Sequence, residues 1–326
     1  MIISRTPLRV SFCGGGTDID SFSMNEPTGG RVVSVAIDKY VYVAMNRRFD
    51  DSIRVSYSST ENVGSVNEIG HDLVREAMRM TGIESGVEIT TIADIPGRGT
   101  GLGSSSSVTV GLLNAMHAFE GRRPTKNQLA EEACRIEIDV LGAPIGRQDQ
   151  YAASFGGINS ITFEDKGVVV DPISLNEGII DEISTKFSLV FTGMTRSASE
   201  ALSEGFTKEE AISRLREIRK QADSAAVFLE SGDLESLGSM LNDAWMSKRG
   251  TSARVSNPSI DSLYERIMQI GAKGAKLLGA GSGGFFLVFG DSGLRGRMSE
   301  ELGHENRVLP MGIDFSGSKI MIGSLK

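Results

Sequence analysis

The stretch Gly97-Arg98-Gly99-Thr100-Gly101-Leu102-Gly103-Ser104-Ser105-Ser106-Ser107 places four alternating glycines directly before four serines. Apolar residues follow at positions 108, 112, 113, 116 and 119, which is the spacing of a helix face. The first N–H groups of a helix lack internal partners and carry partial positive charge, and glycines let the backbone wrap an anion. The stretch therefore predicts a phosphate-binding loop, in which Ser104 to Ser107 cap the helix and one hydroxyl is available to magnesium. A glycine-rich turn with an ordinary serine cap is the alternative.

Three other segments are rich in glycine, at 14–16, 142–157 and 274–284. Together with 97–103 they contain 16 of the 39 glycines, and the rest of the chain is close to the usual ~7%. The pattern G-x-G-x-x-G at Gly279, Gly281 and Gly284 runs into the apolar stretch Phe285 to Phe289. A dinucleotide site would open a helix instead, so this segment predicts a turn between two strands rather than an oxidoreductase. The Walker A pattern is absent from the sequence, which argues against a P-loop NTPase.

Composition excludes several other classes. The chain has 34 Lys and Arg against 42 Asp and Glu, a net charge of −8, so a dedicated nucleic-acid binder is not expected. Two cysteines are too few for a disulfide scaffold or a cysteine-based zinc site. With only three scattered histidines, a zinc enzyme is not expected. The longest apolar run is far shorter than the ~20 residues that span a bilayer, and the first residues show no apolar signal core. We therefore expect a cytoplasmic protein with no membrane partner.

The length of 326 residues predicts two domains in an α+β chain. Strands dominate the first part, and long amphipathic helices follow from about residue 208, so we place the boundary between 1–178 and 179–326. Two β-rich runs around Asp38-Lys39 predict a hairpin. Thr125 with Gln128 predicts a capping box that opens a helix ending at Gly142.

An acidic residue lies within the glycine-punctuated segment Gly146-Arg147-Gln148-Asp149-Gln150. Asp149 is a candidate general base, and an Asx turn or a helix cap is the alternative. Arg9 lies in a predicted strand, and on the residues alone it is expected to form a salt bridge at the end of that strand.

Three of these segments, taken in order, resemble the motifs of the GHMP kinase family. The first runs from Thr6-Pro7-Leu8-Arg9 to Gly16-Thr17-Asp18, the second from Pro96 to Ser105, and the third from Lys276 to Gly284. The resemblance spans essentially the whole chain. It implies a strand-rich N-terminal domain like the second domain of a ribosomal protein, and a ferredoxin-like C-terminal domain. ATP, Mg²⁺ and the acceptor would lie between them.

The resemblance also implies roles for individual residues. Asp149 would take the proton of the attacking hydroxyl, with Arg9 beside it. Ser105 and Glu137 would hold magnesium, although one residue more separates Glu137 from Asp149 than the mevalonate kinases of the family imply, and a solvated helix face is the alternative for Glu137. The residues expected to bind ATP are Pro96, Gly99, Gly101, Leu102, Gly103, Ser104, Ser105 and Ser106.

Within the family, the chain looks most like the heptose kinase branch, which phosphorylates D-glycero-D-manno-heptose 7-phosphate at the anomeric hydroxyl. Galactokinases carry Glu-His where this chain has Gly15-Gly16, and the two missing side chains would make room for a larger sugar phosphate. The residues expected to bind the sugar or its phosphate are Gly14, Gly15, Gly16, Thr17, Asp18, Arg147, Arg196, Lys248, Arg249, Gly281 and Gly283. The alternatives are another sugar-1-kinase, for fucose or an N-acetylhexosamine, and a non-catalytic sugar sensor. We also allow for a homodimer.

Overall fold

The computed structural model describes residues 1–95, 99–195, 209–249 and 255–323. Pro96 and Arg196, which the sequence assigns to the nucleotide and sugar-phosphate sites, lie outside the described residues. The strands are β1 (Ile2–Cys13), β2 (Gly30–Arg47), β3 (Ile53–Ser56), β4 (Thr60–Val63), β5 (Val87–Ala93), β6 (Ile158–Glu164), β7 (Gly167–Pro172), β8 (Phe187–Phe191), β9 (Gly274–Leu277), β10 (Phe285–Phe289), β11 (Val308–Pro310) and β12 (Lys319–Ile322). The α-helices are α1 (Asp20–Ser23), α2 (Asp72–Thr81), α3 (Ser104–Phe119), α4 (Lys126–Cys134), α5 (Gln148–Phe155), α6 (Glu177–Lys186), α7 (Glu209–Ser231), α8 (Leu234–Arg249), α9 (Pro258–Gln269) and α10 (Leu294–Glu301).

The first sheet is built around the long strand β2. One half of β2 pairs with β5 and the other half with β6, and β1 runs antiparallel along nearly its whole length. Helix α3 packs against β1 and β2 at short range, because Gly111 has no side chain and its carbonyl accepts a bond from the Ser4 hydroxyl at 2.8 Å. This packing places the start of α3 beside the strand that carries Arg9.

The predicted hairpin at Asp38-Lys39 is wrong, since β2 continues through both residues. Pro7 pairs with Tyr40 and the next residue, Leu8, pairs with Ile37, so Asp38 and Lys39 form a bulge opposite β1. The polar side chains that suggested a turn are used locally: Lys39 Nζ lies 2.7 Å from Asp38 Oδ1.

The second sheet is antiparallel, in the order β11-β8-β10-β9. Numbered within this part of the chain, the order is 4-1-3-2, and helices connect β8 to β9 and β10 to β11. This is the ferredoxin-like arrangement expected for the C-terminal part, and the mixture of helices and sheets confirms the α+β class. After β11 the chain returns to the first sheet, where β12 pairs with β1. The boundary at residue 178 stays a prediction.

The helix predicted for 125–142 is divided into two parts. Thr125 caps α4 as expected, because its hydroxyl accepts a bond from Gln128 N–H at 3.1 Å. From Arg135 to Val140 the helix is π-helical. A π turn takes up one residue more than an α turn, so it can absorb the extra residue between Glu137 and Asp149.

The two sheets are joined by apolar and backbone contacts. The rings of Phe12 in β1 and Phe187 in β8 meet edge-on, with centroids 5.5 Å apart. The glycine segment between β9 and β10 lies directly against the segment before α3. A Cβ atom at Gly279 would come within 2.4 Å of Gly101 Cα. In the described parts of the chain, we find no helix with the length and hydropathy required for a membrane span.

Candidate active site

The geometry converges on an ion pair between Arg9 and Asp149. Arg9 is buried in β1, and its Nε donates to Asp149 Oδ1 at 2.6 Å. Its Nη1 donates to the carbonyl oxygen of Gly101 at 2.6 Å. A Cβ atom at Gly103 would lie 3.2 Å from both Arg9 Cγ and Asp149 Oδ2. One guanidinium thus connects the first and second motifs to the predicted base. Asp149 lies in the first turn of α5 but does not cap it, since Arg147 is the N-cap residue, and the role of Asp149 as a base stays a prediction.

Helix α3 starts at the predicted position, but its serines do not cap it. Gly103 is the N-cap, in the left-handed conformation, and no side chain of the described residues caps the first amides of the helix. The serine hydroxyls bond elsewhere: Ser104 to Thr100 at 3.0 Å and Ser107 to the carbonyl of Pro7 at 2.8 Å. The helix N-terminus therefore keeps its partial positive charge and its amides for an anion, as the phosphate-loop prediction requires.

Ser105 and Glu137, the predicted magnesium ligands, are in direct contact. Ser105 is the exposed serine of the run, and its hydroxyl donates to Glu137 Oε1 at 2.7 Å. Glu137 is only 2% exposed, and its Oε2 accepts from Gln150 Nε2 at 2.7 Å. Burial raises the pKa of Glu137 to about 7, against the lowering effect of the bonds from Ser105, Ser106 and Gln150.

This pair suits a divalent cation. A buried carboxylate bonded to neutral donors rather than to a basic side chain gains most from a positive ion. Magnesium usually takes one or two carboxylates and completes its shell with phosphates and water. Among the described residues, no group of three His, Cys, Asp or Glu side chains could hold a metal by itself. The donor set therefore fits Mg²⁺ bound together with a nucleotide.

The loop Gly14–Asp18 is adjacent to this site, but two of its side chains are occupied. Thr17 is fully buried, and its hydroxyl bonds to the carbonyls of Gly14 and Arg31 and to Arg31 N–H, so it shapes the loop rather than facing a sugar. Asp18, 1% exposed, accepts from Gln148 N–H at 3.0 Å and from Gln148 Nε2 at 3.1 Å. Burial raises its pKa. Asp18 thereby fixes the start of α5, which carries Asp149, and a direct bond from Asp18 to a sugar stays a prediction.

The three glycines of this loop differ in how closely neighbouring atoms approach them. At Gly14 a Cβ would lie 2.0 Å from the carbonyl oxygen of Arg31, so close packing requires this glycine. At Gly15 the nearest atom, Gln148 Nε2, is 3.5 Å away. At Gly16 the nearest atom is Leu215 Cδ2 at 3.4 Å. A Cβ at Gly15 or Gly16 would thus make ordinary van der Waals contacts, and the room for a larger substrate stays a prediction.

Three of the four predicted phosphate cations lie in the described part of the chain, and each contacts a different group. Arg147 pairs with Asp20 at 2.8 Å, at the N-cap of α5 and close to the site. Arg249, at the end of α8, pairs with Asp261 of α9 at 3.1 Å. Lys248 donates to the carbonyls of Leu277, at 3.1 Å, and Gly279. Burial, with Lys276 and Arg9 nearby, lowers its pKa well below the usual value. Lys248 therefore lies at the junction of the glycine segments.

Gly281 and Gly283, predicted to bind substrate, are required by packing. A Cβ at Gly281 would lie 2.6 Å from the carbonyl oxygen of Val255, and one at Gly283 would lie 3.0 Å from that of Met194. The segment is a turn between β9 and β10, as its sequence predicted, and opens no helix.

Sequence reasoning gave no role to three residues of the site. Gln148 joins Asp18 to α5, Gln150 bonds to Glu137, and Lys276 donates to the end of β1. The two glutamines flank Asp149 in the sequence, and this position is the signal that could have assigned them to the site. The partner of Lys276 is 264 residues away in the chain and could not be identified from the sequence.

Comparisons with known proteins identify the family to which the chain is similar. The GHMP kinases N terminal domain family matches residues 70–157, and the GHMP kinases C terminal family matches residues 225–306. D-glycero-alpha-D-manno-heptose 7-phosphate kinase of Campylobacter jejuni is 30% identical over 313 residues, covering 89% of each chain. A bifunctional fucokinase/GDP-fucose pyrophosphorylase of Arabidopsis thaliana is 26% identical over 86% of this chain and 29% of its own.

The fold is also found among solved structures. The crystal structure of a D-glycero-D-manno-heptose 1-phosphate kinase from Bacteroides thetaiotaomicron superposes with a TM-score of 0.82, covering 99% of this chain and 100% of that one at 23% identity. At this identity the likeness establishes the fold alone. Together with the matches along the sequence, it shows that the chain belongs to the GHMP kinase family and is a phosphotransferase that acts on an alcohol group.

Proposed function

We propose that this GHMP kinase is a sugar kinase that transfers the γ-phosphate of ATP to the anomeric hydroxyl of a sugar phosphate. The substrate would be D-glycero-D-manno-heptose 7-phosphate and the product its 1,7-bisphosphate. The observation that carries the proposal is the Arg9–Asp149 ion pair, 2.6 Å long, at the N-terminus of α3 and one residue from the Asp18–Gln148 contact. A base, an anion-binding helix end and a polar loop meet there.

Asp149 would accept the proton of the attacking hydroxyl. Its Oδ1 is bonded to Arg9, which leaves Oδ2, facing Gly103, for the substrate. The guanidinium stabilises the carboxylate charge and offsets charge that develops on the transferring group. Phosphoryl transfer depends mainly on alignment and electrostatic stabilisation, so holding the hydroxyl in line matters as much as taking its proton.

The nucleotide phosphates would lie against Gly99 to Ser106 at the start of α3. The uncapped amides of the helix and the glycine backbone donate to phosphate oxygens without side-chain interference. Ser105 and Glu137 would hold Mg²⁺, which, when bound, neutralises phosphate charge. Pro96, outside the described residues, stays a predicted part of this site.

The choice of a phosphorylated heptose rests on two supports. The Campylobacter jejuni relative is named for that substrate and covers most of the chain. The second support is the cation Arg147 beside the loop Gly14–Asp18, in which Gly15 and Gly16 carry no side chain that could exclude a large anionic sugar. Arg147 is the described arginine best placed for the 7-phosphate, and Arg196 stays a prediction.

A panel of sugars tests the proposal. The purified protein is incubated with ATP, Mg²⁺ and D-glycero-D-manno-heptose 7-phosphate, free heptose, fucose, galactose or an N-acetylhexosamine, and ADP release is followed. Phosphorus NMR then locates the new phosphate. We expect turnover with the heptose 7-phosphate and a phosphate at C1. Turnover with fucose alone would favour the fucokinase-like alternative, and sugar binding with no turnover would favour the sensor.

A further inference from the structure

Lys276 is a buried lysine that joins the second sheet to the first. It lies in β9 and is 5% exposed. Its Nζ donates to the carbonyl oxygens of Ser11 at 3.1 Å and Phe12 at 2.9 Å. Both carbonyls belong to the end of β1, immediately before the loop Gly14–Asp18.

The two carbonyls carry no charge that would offset the charge of a buried ammonium. An ammonium group removed from water costs several kcal/mol unless it is well compensated. In the described part of the chain, both hydrogen-bond acceptors of Lys276 are neutral carbonyls. Burial, with Arg9 nearby, lowers its pKa. An apolar side chain could fill the same space without this cost, so packing alone does not account for a lysine here.

The position of Lys276 connects all three motifs. It starts the segment that continues to Gly279 and Gly284, and these glycines lie against Gly101 and Thr100 of the phosphate loop. Its side chain reaches in the other direction, to the strand end that leads into the loop Gly14–Asp18. The segment from Lys276 to Gly284 therefore contacts the phosphate loop through its backbone, and the strand end before the loop Gly14–Asp18 through this ammonium.

We propose that Lys276 is a positioning residue that sets the separation of the loop Gly14–Asp18 from the phosphate loop. The inference rests on the proposed function, in which these loops hold the acceptor and the donor. Removing the ammonium lets the end of β1 move relative to Gly101, while the phosphate loop and Asp149 keep their own contacts. A displacement of about 1 Å between reacting groups lowers the rate by about 10²-fold.

Steady-state kinetics of Lys276→Met test this role, because methionine keeps much of the stem and removes the ammonium. We expect a kcat about 10²-fold lower and a KM for ATP within about twofold of wild type. Lys273→Met is the matched control: Lys273 precedes β9, is half exposed and pairs with Glu235 at 2.6 Å. It should behave as wild type. A folded Lys276→Met enzyme with wild-type kcat, or one altered only in its KM for ATP, would refute the proposal.

Lys276→Arg covers the case in which the methionine variant does not fold. Arginine retains a charge and donors on a longer, planar group. We expect a folded protein whose kcat lies between that of wild type and that of a variant without the cation, and full recovery of kcat would equally support a positioning cation. A folded arginine variant altered only in its KM for ATP, or failure of both variants to fold, would overturn the proposal.

Hydrogen exchange of the substrate-free protein separates this inference from the proposed function. In a folded variant, amides of Cys13 to Thr17 should exchange faster in Lys276→Met than in Lys273→Met, while those of α3 stay unchanged. Equal exchange would refute the positioning role. If the wild-type protein phosphorylates no sugar of the panel, the proposed function fails, whereas the exchange result still decides what Lys276 holds in place.

Discussion

The glycine segments before α3 and between β9 and β10 are alike in composition and different in use. Both have alternating glycines, and they pack on each other through Gly101 and Gly279. The first leads into a helix with no side-chain cap, beside Arg9 and Asp149. The second leads into the buried strand β10, and its glycines are fixed by backbone atoms of Thr100, Val255 and Met194.

Glycine content alone therefore does not distinguish a ligand loop from a packing loop. The element that comes after the glycines makes the distinction, because a helix start offers free amides to an anion and a strand pairs its amides in a sheet. The second segment supports the first by allowing two backbones to approach more closely than side chains would permit. Substitutions on the two sides of this contact should consequently fail in different ways.

The largest effect should come from Asp149→Asn, which keeps the size of the side chain and removes the base. We expect kcat to fall about 10³-fold or more, because general-base catalysis and the ion pair with Arg9 are lost together. Binding of a fluorescent ATP analogue should persist, since the phosphate loop is unchanged. Turnover near the wild-type level would exclude Asp149 as the base.

Glu137→Gln should have the next largest effect, lowering turnover about 10²-fold through weaker metal binding. Without metal, the same substitution should stabilise the protein at neutral pH. Burial raises the pKa of Glu137 from the usual 4.5 to about 7, so its contribution to stability is present below pH 4.5 and lost as the pH rises through 7. In EDTA, the melting temperature of the variant should therefore rise relative to that of wild type between pH 4.5 and pH 7. A constant difference across this range would contradict the burial argument.

Gly279→Ala tests the packing side of the contact. Its φ of 66° and the 2.4 Å approach of a Cβ to Gly101 Cα should cost about 2 kcal/mol of stability or more, and raise the KM for ATP by displacing the phosphate loop. Gly296→Ala is the control, since nothing lies within 4 Å of a Cβ in this turn of α10. It should stabilise the protein by up to about 1 kcal/mol. Equal melting temperatures for the two variants would show that the contact is loose.

Arg147→Ala should have the smallest effect on catalysis. We expect the KM for a phosphorylated sugar to rise about tenfold, which corresponds to about 1.4 kcal/mol, with the KM for ATP unchanged. Arg297→Ala, which breaks an exposed pair with Asp291, serves as the control in the same assay. An equal rise in both KM values would remove Arg147 from the sugar-phosphate site.

The sequence predicted the fold class and the helix that begins after the serine-preceding glycines, and the family resemblance implied that Arg9 lies near Asp149 and Ser105 near Glu137, as the structure has them. It misjudged features that depend on distant partners. The hairpin at Asp38-Lys39 failed because β1 accommodates both residues in a bulge. The bonds between Thr17 and Arg31 and between Arg147 and Asp20, the latter across 127 positions of the chain, were not predicted either. No local pattern indicates such contacts.

The pairing of β12 with β1 has a consequence for the order of folding. Ile3 pairs with Ile322, so β1 acquires this neighbour only after all the residues between the two strands have been translated. Until then, the edge of β1 opposite β2 is open, and open strand edges invite pairing with other chains. The nascent chain should depend on rapid completion of synthesis or on chaperones that shield this edge. Expressing the predicted N-terminal domain, residues 1–178, without β12 should accordingly yield aggregates.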